Sequence, residues 1–200
     1  VIQNNMSQAS LTQMAAQIAF AQENIESNPS PENAYALANF FLHGGHHSKA
    51  VDYMEMAAKN YVSEWSIPDA VAIYQNALEI YDNAEQTHML NFNQYTKMKI
   101  CLAELLAYQM KIKEAQDQLT SALPVACKQN LERKVIDALA LLSSLAILND
   151  DLSQANGYLT RAWELASGLP TPDIQAELLG IIGKYYLEAG QLSVAHQYVL

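Results

Sequence analysis

The chain has 200 residues, half of them hydrophobic, with 11 basic against 21 acidic side chains and a formal charge of −10. That length can bury a substantial core, while the acidic excess argues against sequence-independent nucleic-acid binding and against anionic membrane surfaces, both of which need clustered Lys and Arg. Seven Gly and six Pro are few for a turn-rich all-β protein, and no apolar run approaches the roughly 20 residues of a membrane span.

Residues 1–7 are polar. Ser10, with Gln13 three residues on, has capping-box spacing, and Leu11, Met14, Ile18 and Ala19 continue a helical stripe. Pro29 and Pro31 disfavour helix before them, so this first helix should end near Ser27. A second helix is predicted from Pro31-Glu32 to His43, broken by Gly44-Gly45, and a third over about 47–64. Ser66 can cap a fourth, with Pro68 and Asp69 in its first turn. Residues 86–109 hold no Gly or Pro and predict one long helix turning near Lys111. Its partner covers 112–128, where Pro124 should distort the helix or end it early. Helices at about 131–148 and 152–167 follow. Gly168-Leu169-Pro170-Thr171-Pro172 is a firm break, and the last pair, 173–189 and 191–200, turns at Gly190.

A phrase recurs along these helices. Small residues twelve positions apart pair as Ala38/Ala50, Ala58/Ala70, Ala103/Ala115, Ser143/Ala155 and Gly183/Ala195. Four residues after each second member stands Met54, Tyr74, Leu119, Leu159 or Val199, and seven after it Ala57, Ala77, Ala122 or Ala162. Offsets of four and seven share one helical face. A small residue at the centre of that face lets a neighbouring helix approach closely, so each phrase predicts a helix-turn-helix unit and the series an α-solenoid. Ala115, Ala155 and Ala195 lie 40 residues apart. The expected fold class is therefore all-α, a right-handed solenoid of about ten antiparallel helices. Residues 1–30 should form an N-terminal helix and connection packed on a superhelical domain of 31–200. The chain opens on Val and stops within a helical run, so a fragment of a larger protein is expected.

Chemistry is sparsely signalled. Cys101 and Cys127 are too few and too isolated for a disulfide framework or zinc site, and both read as reduced, mostly buried thiols. His43, His46 and His47 form the one cluster resembling a metal site. Its loop holds two glycines and no Asp, Glu or Cys, so it reads as an interhelical turn and no metal is expected. His88 and His196 have no Ser or Cys at a pairing distance, and Asp150-Asp151 sit where a turn favours Asp. No enzyme, catalytic residue or cofactor is expected of this chain. No basic region followed by an apolar stretch opens it, and a cytoplasmic location is expected.

The repeated positions resemble the tetratricopeptide repeat, in which a small residue on the first helix faces an Ala on the second, followed by a large residue and another Ala. Gly45 and Gly190 stand where that family often has its turn Gly, whereas Met110 and Asp150 depart from it, and the signature Trp, Leu-Gly and closing Pro are mostly missing. The resemblance covers about residues 31–200. More narrowly, Leu37-Ala38-Asn39-Phe40-Phe41-Leu42-His43-Gly44-Gly45, leading into Lys49-Ala50-Val51-Asp52-Tyr53-Met54 and, after Ala57-Ala58, Asp69-Ala70-Val71-Ala72-Ile73-Tyr74-Gln75-Asn76-Ala77-Leu78, is similar to the helical arm of bacterial multidomain signal-transduction ATPases, whose outputs are cyclases, kinases or DNA-binding domains. No Gly-x-x-x-x-Gly-Lys-Ser/Thr phosphate loop is present.

The tetratricopeptide resemblance implies that the first helix of each unit lines an inner groove for a protein or peptide. Its groove positions fall on Tyr35, Asn39, His43, Glu55, Lys59, Glu104, Tyr108, Ser144, Lys184 and Glu188. Of the Lys, Arg and Asn clamp that chaperone-binding members close on a terminal carboxylate, only Asn39 is matched, so chaperone-tail binding is not expected. The implied function is a non-catalytic interaction or regulatory arm of a cytoplasmic bacterial signalling protein. A stand-alone scaffold or peptide sensor of the same fold, and a purely structural dimerisation domain, are the alternatives.

Overall fold

The computed structural model describes residues 7–26, 28–83, 91–170 and 172–199, with side chains through 198. Among them are ten helices and no strand: α1 (Gln8–Ile25), α2 (Pro31–His43), α3 (His47–Ser63), α4 (Ile67–Asn83), α5 (Phe92–Tyr108), α6 (Ile112–Lys128), α7 (Glu132–Leu148), α8 (Leu152–Ser167), α9 (Pro172–Glu188) and α10 (Leu192–Val199). The start expected for the fifth helix, at 86–90, lies outside the described residues. They divide into two compact units, Val1–Asn91 with α1–α4 and Phe92–Leu200 with α5–α10.

The small pairs sit where neighbouring helices cross. Ala38, Ala50, Ala58, Ala70, Ala103, Ala115, Ser143 and Ala155 have no exposed surface, and Gly183 and Ala195 are buried. Ala57, Ala77, Ala122 and Ala162 are equally enclosed. With at most the Ser143 hydroxyl beyond Cβ at the crossings, two helix axes can approach at the short end of the usual 8–10 Å range. The large residues of the phrase then fill the flanks: Met54, Tyr74, Leu119 and Leu159 are all buried, each such side chain stabilising the fold by about 1.5–3 kcal/mol.

The turns are built alike. In each of six, one residue adopts the left-handed conformation: Gly45, Trp65, Met110, Asn130, Asp150 and Gly190. The amide after it reaches back to a carbonyl of the last helical turn, as from His46 to Phe41, Ser66 to Tyr61, Lys111 to Leu106, Leu131 to Ala126, Asp151 to Ala146 and Gln191 to Tyr186. This is the Schellman closure, which satisfies carbonyls that the helix end would leave open. It sets a beat of 20 residues from Gly45 to Trp65 and again from Met110 through Asn130 to Asp150. Gly190 follows at twice that interval.

Three local expectations change. The cap of α1 is Ser7, whose Oγ accepts from the Ser10 amide at 3.2 Å, so Ser10 lies inside the first turn. Pro124 lies within α6, which runs on to Lys128. Burial of Leu119, Ala122 and Ala126 on either side of it outweighs the one hydrogen bond a Pro removes. Cys127 is exposed rather than buried, because it sits on the solvent side of the last turn of α6 beside Ala126, which takes the core position.

In the first unit, α1 lies across the α2–α3 turn. Ala19 packs with Leu37, Phe41 and Ala50. Phe20 meets Phe41 edge-on at 5.3 Å, and the Lys49 ammonium lies 5.1 Å from the centroid of each ring. Lys49 also donates to both Glu23 oxygens at 2.6 Å, and Tyr53 donates to the same carboxylate at 3.0 Å. Those bonds hold the Glu23 carboxyl below its ordinary range, the Lys49 hydrogen bond most of all. Burial first, then Glu23, pushes the Tyr53 hydroxyl up to about 12.

Candidate functional site: a charged band in the second unit

Helices α5, α7 and α9 are the first members of the three hairpins of the second unit, and α7 packs against both of the others. Their outward side chains form one charged band. On α7, Arg133 donates through Nε to Asp137 Oδ1 at 2.7 Å, and Lys134 donates to Asp137 Oδ2 at 3.2 Å. Arg133 also reaches Glu177 on α9 at 3.5 Å. On α5, Glu104 keeps solvent contact, yet its carboxyl is raised above the ordinary range. Desolvation is the largest cause, then Asp137 and Glu177, with Lys134 opposing. An acid whose charged form is disfavoured by desolvation and by like charge favours a cation beside it. Among the described residues no hydrogen bond or ion pair engages that carboxylate.

The expected groove residues are placed as follows. Tyr108 stands one turn beyond Glu104 on α5 and is 67 % exposed. Ser144 is half-buried on α7, with its hydroxyl donated to the Ala140 carbonyl of its own helix. Lys184 and Glu188 lie exposed on α9. In the first unit, Tyr35 accepts a 2.9 Å hydrogen bond from Asn76 on α4, joining α2 to α4, while Asn39 is half-buried and His43 exposed. Glu55 is buried on α3 and paired with exposed Lys59 at 2.6 Å. His46 packs its ring edge-on to Phe20 at 5.0 Å. Among the described residues no group of three His, Cys, Asp or Glu is placed to hold a metal ion, and no helix is long and apolar enough to cross a membrane.

Arg133, Lys134, Asp137 and Glu177 are absent from the expected set, although the sequence carries a signal for two of them. A seven-residue step back from Ser144 gives Asp137, and the same step from Lys184 gives Glu177, on the same helical faces. Away from this band, a cavity of ≈ 420 Å³ lies where α6, α7 and α8 meet, lined in part by Cys127, Asn130, Glu132, Arg161 and Glu164.

No protein-family model matches the chain, and no curated protein does. Solved structures do. BtubC (BKLC) from P. vanneervenii is similar over 97 % of this chain and 72 % of its own, with a TM-score of 0.65 at 18 % identity. Kinesin light chain TPR-like repeats from Podosopora anserina, solved in two forms, are similar over 96 % of this chain and 90 % of theirs, with TM-scores of 0.69 and 0.66 at 12 % identity. The chain thus has a tetratricopeptide-like, all-α repeat fold of the solenoid class.

Proposed function

We propose that this chain is a non-catalytic protein-interaction arm that receives a peptide or helix on the inner faces of its hairpins. The observation that carries this reading is the band across α5, α7 and α9, where Arg133 bridges Asp137 and Glu177 and exposed Glu104 is crowded by the like charge of those two carboxylates. A Lys or Arg of a partner placed beside Glu104 relieves that crowding, and Tyr108 one turn away supplies exposed aromatic area at modest entropic cost. In the first unit Tyr35, Asn39 and His43 form the corresponding line, with Lys59 exposed on α3. Around the band the chemistry is that of recognition: both charges, an aromatic, a hydroxyl and no nucleophile set beside a base.

The finer reading is a regulatory arm of a cytoplasmic bacterial signalling protein that carries its ATPase and output domains elsewhere in the chain. It rests on the resemblance of residues 37–54 and 69–74 to such arms. A stand-alone scaffold is the second reading, supported by the solved neighbours of like fold, of which this chain spans 72–90 %. The full-length gene separates the two: an upstream phosphate-loop ATPase supports the arm, and its absence supports the scaffold. For the interaction itself, partners are recovered from the native host with the wild-type chain and with Tyr35→Ala/Tyr108→Ala. Loss of a partner from the double variant supports the inner faces. Undiminished affinity there, with loss on substitution at Arg161 of α8, contradicts them.

A further inference from the structure

Helix α1 carries two faces. One docks on α2 and α3 through Ala19 and the Glu23–Lys49 contact. The other is an apolar stripe of Leu11, Met14, Ile18, Ala21 and Ile25, spaced alternately three and four residues apart, the spacing of a two-helix seam. Its members keep exposed surface: Leu11 is 45 % exposed, Met14 44 %, Ile18 36 % and Ile25 84 %. From the geometry we infer that this stripe is a self-association surface, and that its occupant is α1 of a second copy of the chain.

Two observations choose that occupant. The first concerns a further hairpin helix of the kind found within the fold. In α3, α6 and α8 the fourth and eleventh residues are Ala50/Ala57, Ala115/Ala122 and Ala155/Ala162, all fully buried. Ala50 packs with Leu37 and Phe41 of the preceding helix, and Ala155 with Ala146 and Ile147 of its own. The same two positions of α1 hold Leu11 and Ile18, too large for that close crossing but suited to the wider spacing of interdigitated Leu and Ile side chains. The second observation is charge. Two copies of a chain of charge −10 repel over most of their surface, yet Glu23 is the sole charged residue in the eighteen of α1, and it is turned inward to Lys49. Ser10, Gln17, Gln22 and Asn24, which border the stripe, are uncharged. An apolar face free of like charge can meet its own copy across a two-fold axis.

The seam runs over fifteen residues from Leu11 to Ile25, about 21 Å of helix, so association is expected in the micromolar range. Sedimentation of the wild-type chain across a concentration series tests it, beside Met14→Glu, Ile18→Glu and the polar-face control Gln13→Glu. The inference expects the mass to double with concentration for the wild type and the control, with both stripe variants monomeric throughout. Helical circular dichroism and melting of each variant are read in parallel, and Met14, exposed and outside the core, keeps the test valid if Ile18→Glu unfolds. A monomeric wild type at every concentration assigns the stripe to another occupant and overturns the inference. So does a dimer that survives Met14→Glu.

Discussion

Ser143 on α7 donates its hydroxyl to the carbonyl oxygen of Ala155 on α8 at 3.1 Å, both residues fully buried. The two form one of the five small-residue pairs, and the bond shows why Ser is tolerated where the other first members are Ala or Gly. At that crossing the hydroxyl finds its acceptor on the backbone of the facing helix. Ser143→Ala keeps the volume and loses the bond, and a cost of about 1 kcal/mol is expected in urea denaturation.

Overpacking tests the same crossings from the other side. Ala115→Leu and Ala155→Leu each insert a branched side chain where no space exists, at an expected cost of roughly 1–3 kcal/mol. Unchanged melting of both variants shows that the helices do not cross at these residues.

Left-handed turn residues predict stabilisation. Trp65 and Met110 hold φ of 61° and 60° with side chains 76 % and 74 % exposed, so they bear backbone strain with little burial to offset it. Trp65→Gly and Met110→Gly are each expected to raise stability by about 1 kcal/mol, since Gly adopts this region without steric penalty. A fall in the denaturation midpoint of both shows that the two side chains pack more than their exposure indicates.

Gly44 behaves differently. Its φ of −78° is ordinary, but a Cβ there lies 2.9 Å from the Ala16 backbone. Because Ala16 is mid-helix and cannot yield locally, Gly44→Ala should push α1 off the α2–α3 turn. Amide exchange in α1 is expected to speed up while that of α5–α8 is unchanged. Protection of α1 equal to wild type contradicts that packing.

The pH response of Glu104 has a definite sign. Its folded pKa is raised, desolvation first, so the protonated form is favoured on folding. That contribution is complete below the ordinary carboxylate pKa and lost as pH rises through the raised value. Glu104→Gln should thus be at least as stable as wild type at neutral pH, with its advantage vanishing below about pH 4. A Gln variant less stable at neutral pH means the carboxylate has a stabilising partner.

The hairpins were legible because a small residue at a helix crossing leaves a trace at fixed spacing, from Ala38/Ala50 to Gly183/Ala195. Turn positions were legible at Gly45, near Lys111, at Asp150 and at Gly190, but the left-handed conformation only where Gly or Asp announces it. Asn130 and Asp150 are residue types that tolerate this conformation, whereas at Trp65 and Met110 the Schellman hydrogen bonds impose it on residues that do not advertise it. Pro124 misled because its cost is local, whereas the buried Leu119–Ala126 face is cooperative along α6. Within the candidate site, Glu104 and Tyr108 followed from the repeat register. Asp137 and Glu177 lie a seven-residue step from Ser144 and Lys184, but the pairing of Arg133 with Glu177 was not legible, since it depends on how α7 lies against α9, which no spacing within either helix encodes.

Amide exchange of the chain bound to a partner recovered from its host tests the proposed function most directly, because it reports every helix face at once. The account predicts new protection along α5, α7 and α9, including the turns that carry Glu104, Asp137 and Glu177, with α6 and α8 unchanged. Protection confined to α6 and α8, with exchange around Glu104 as in the free chain, contradicts it.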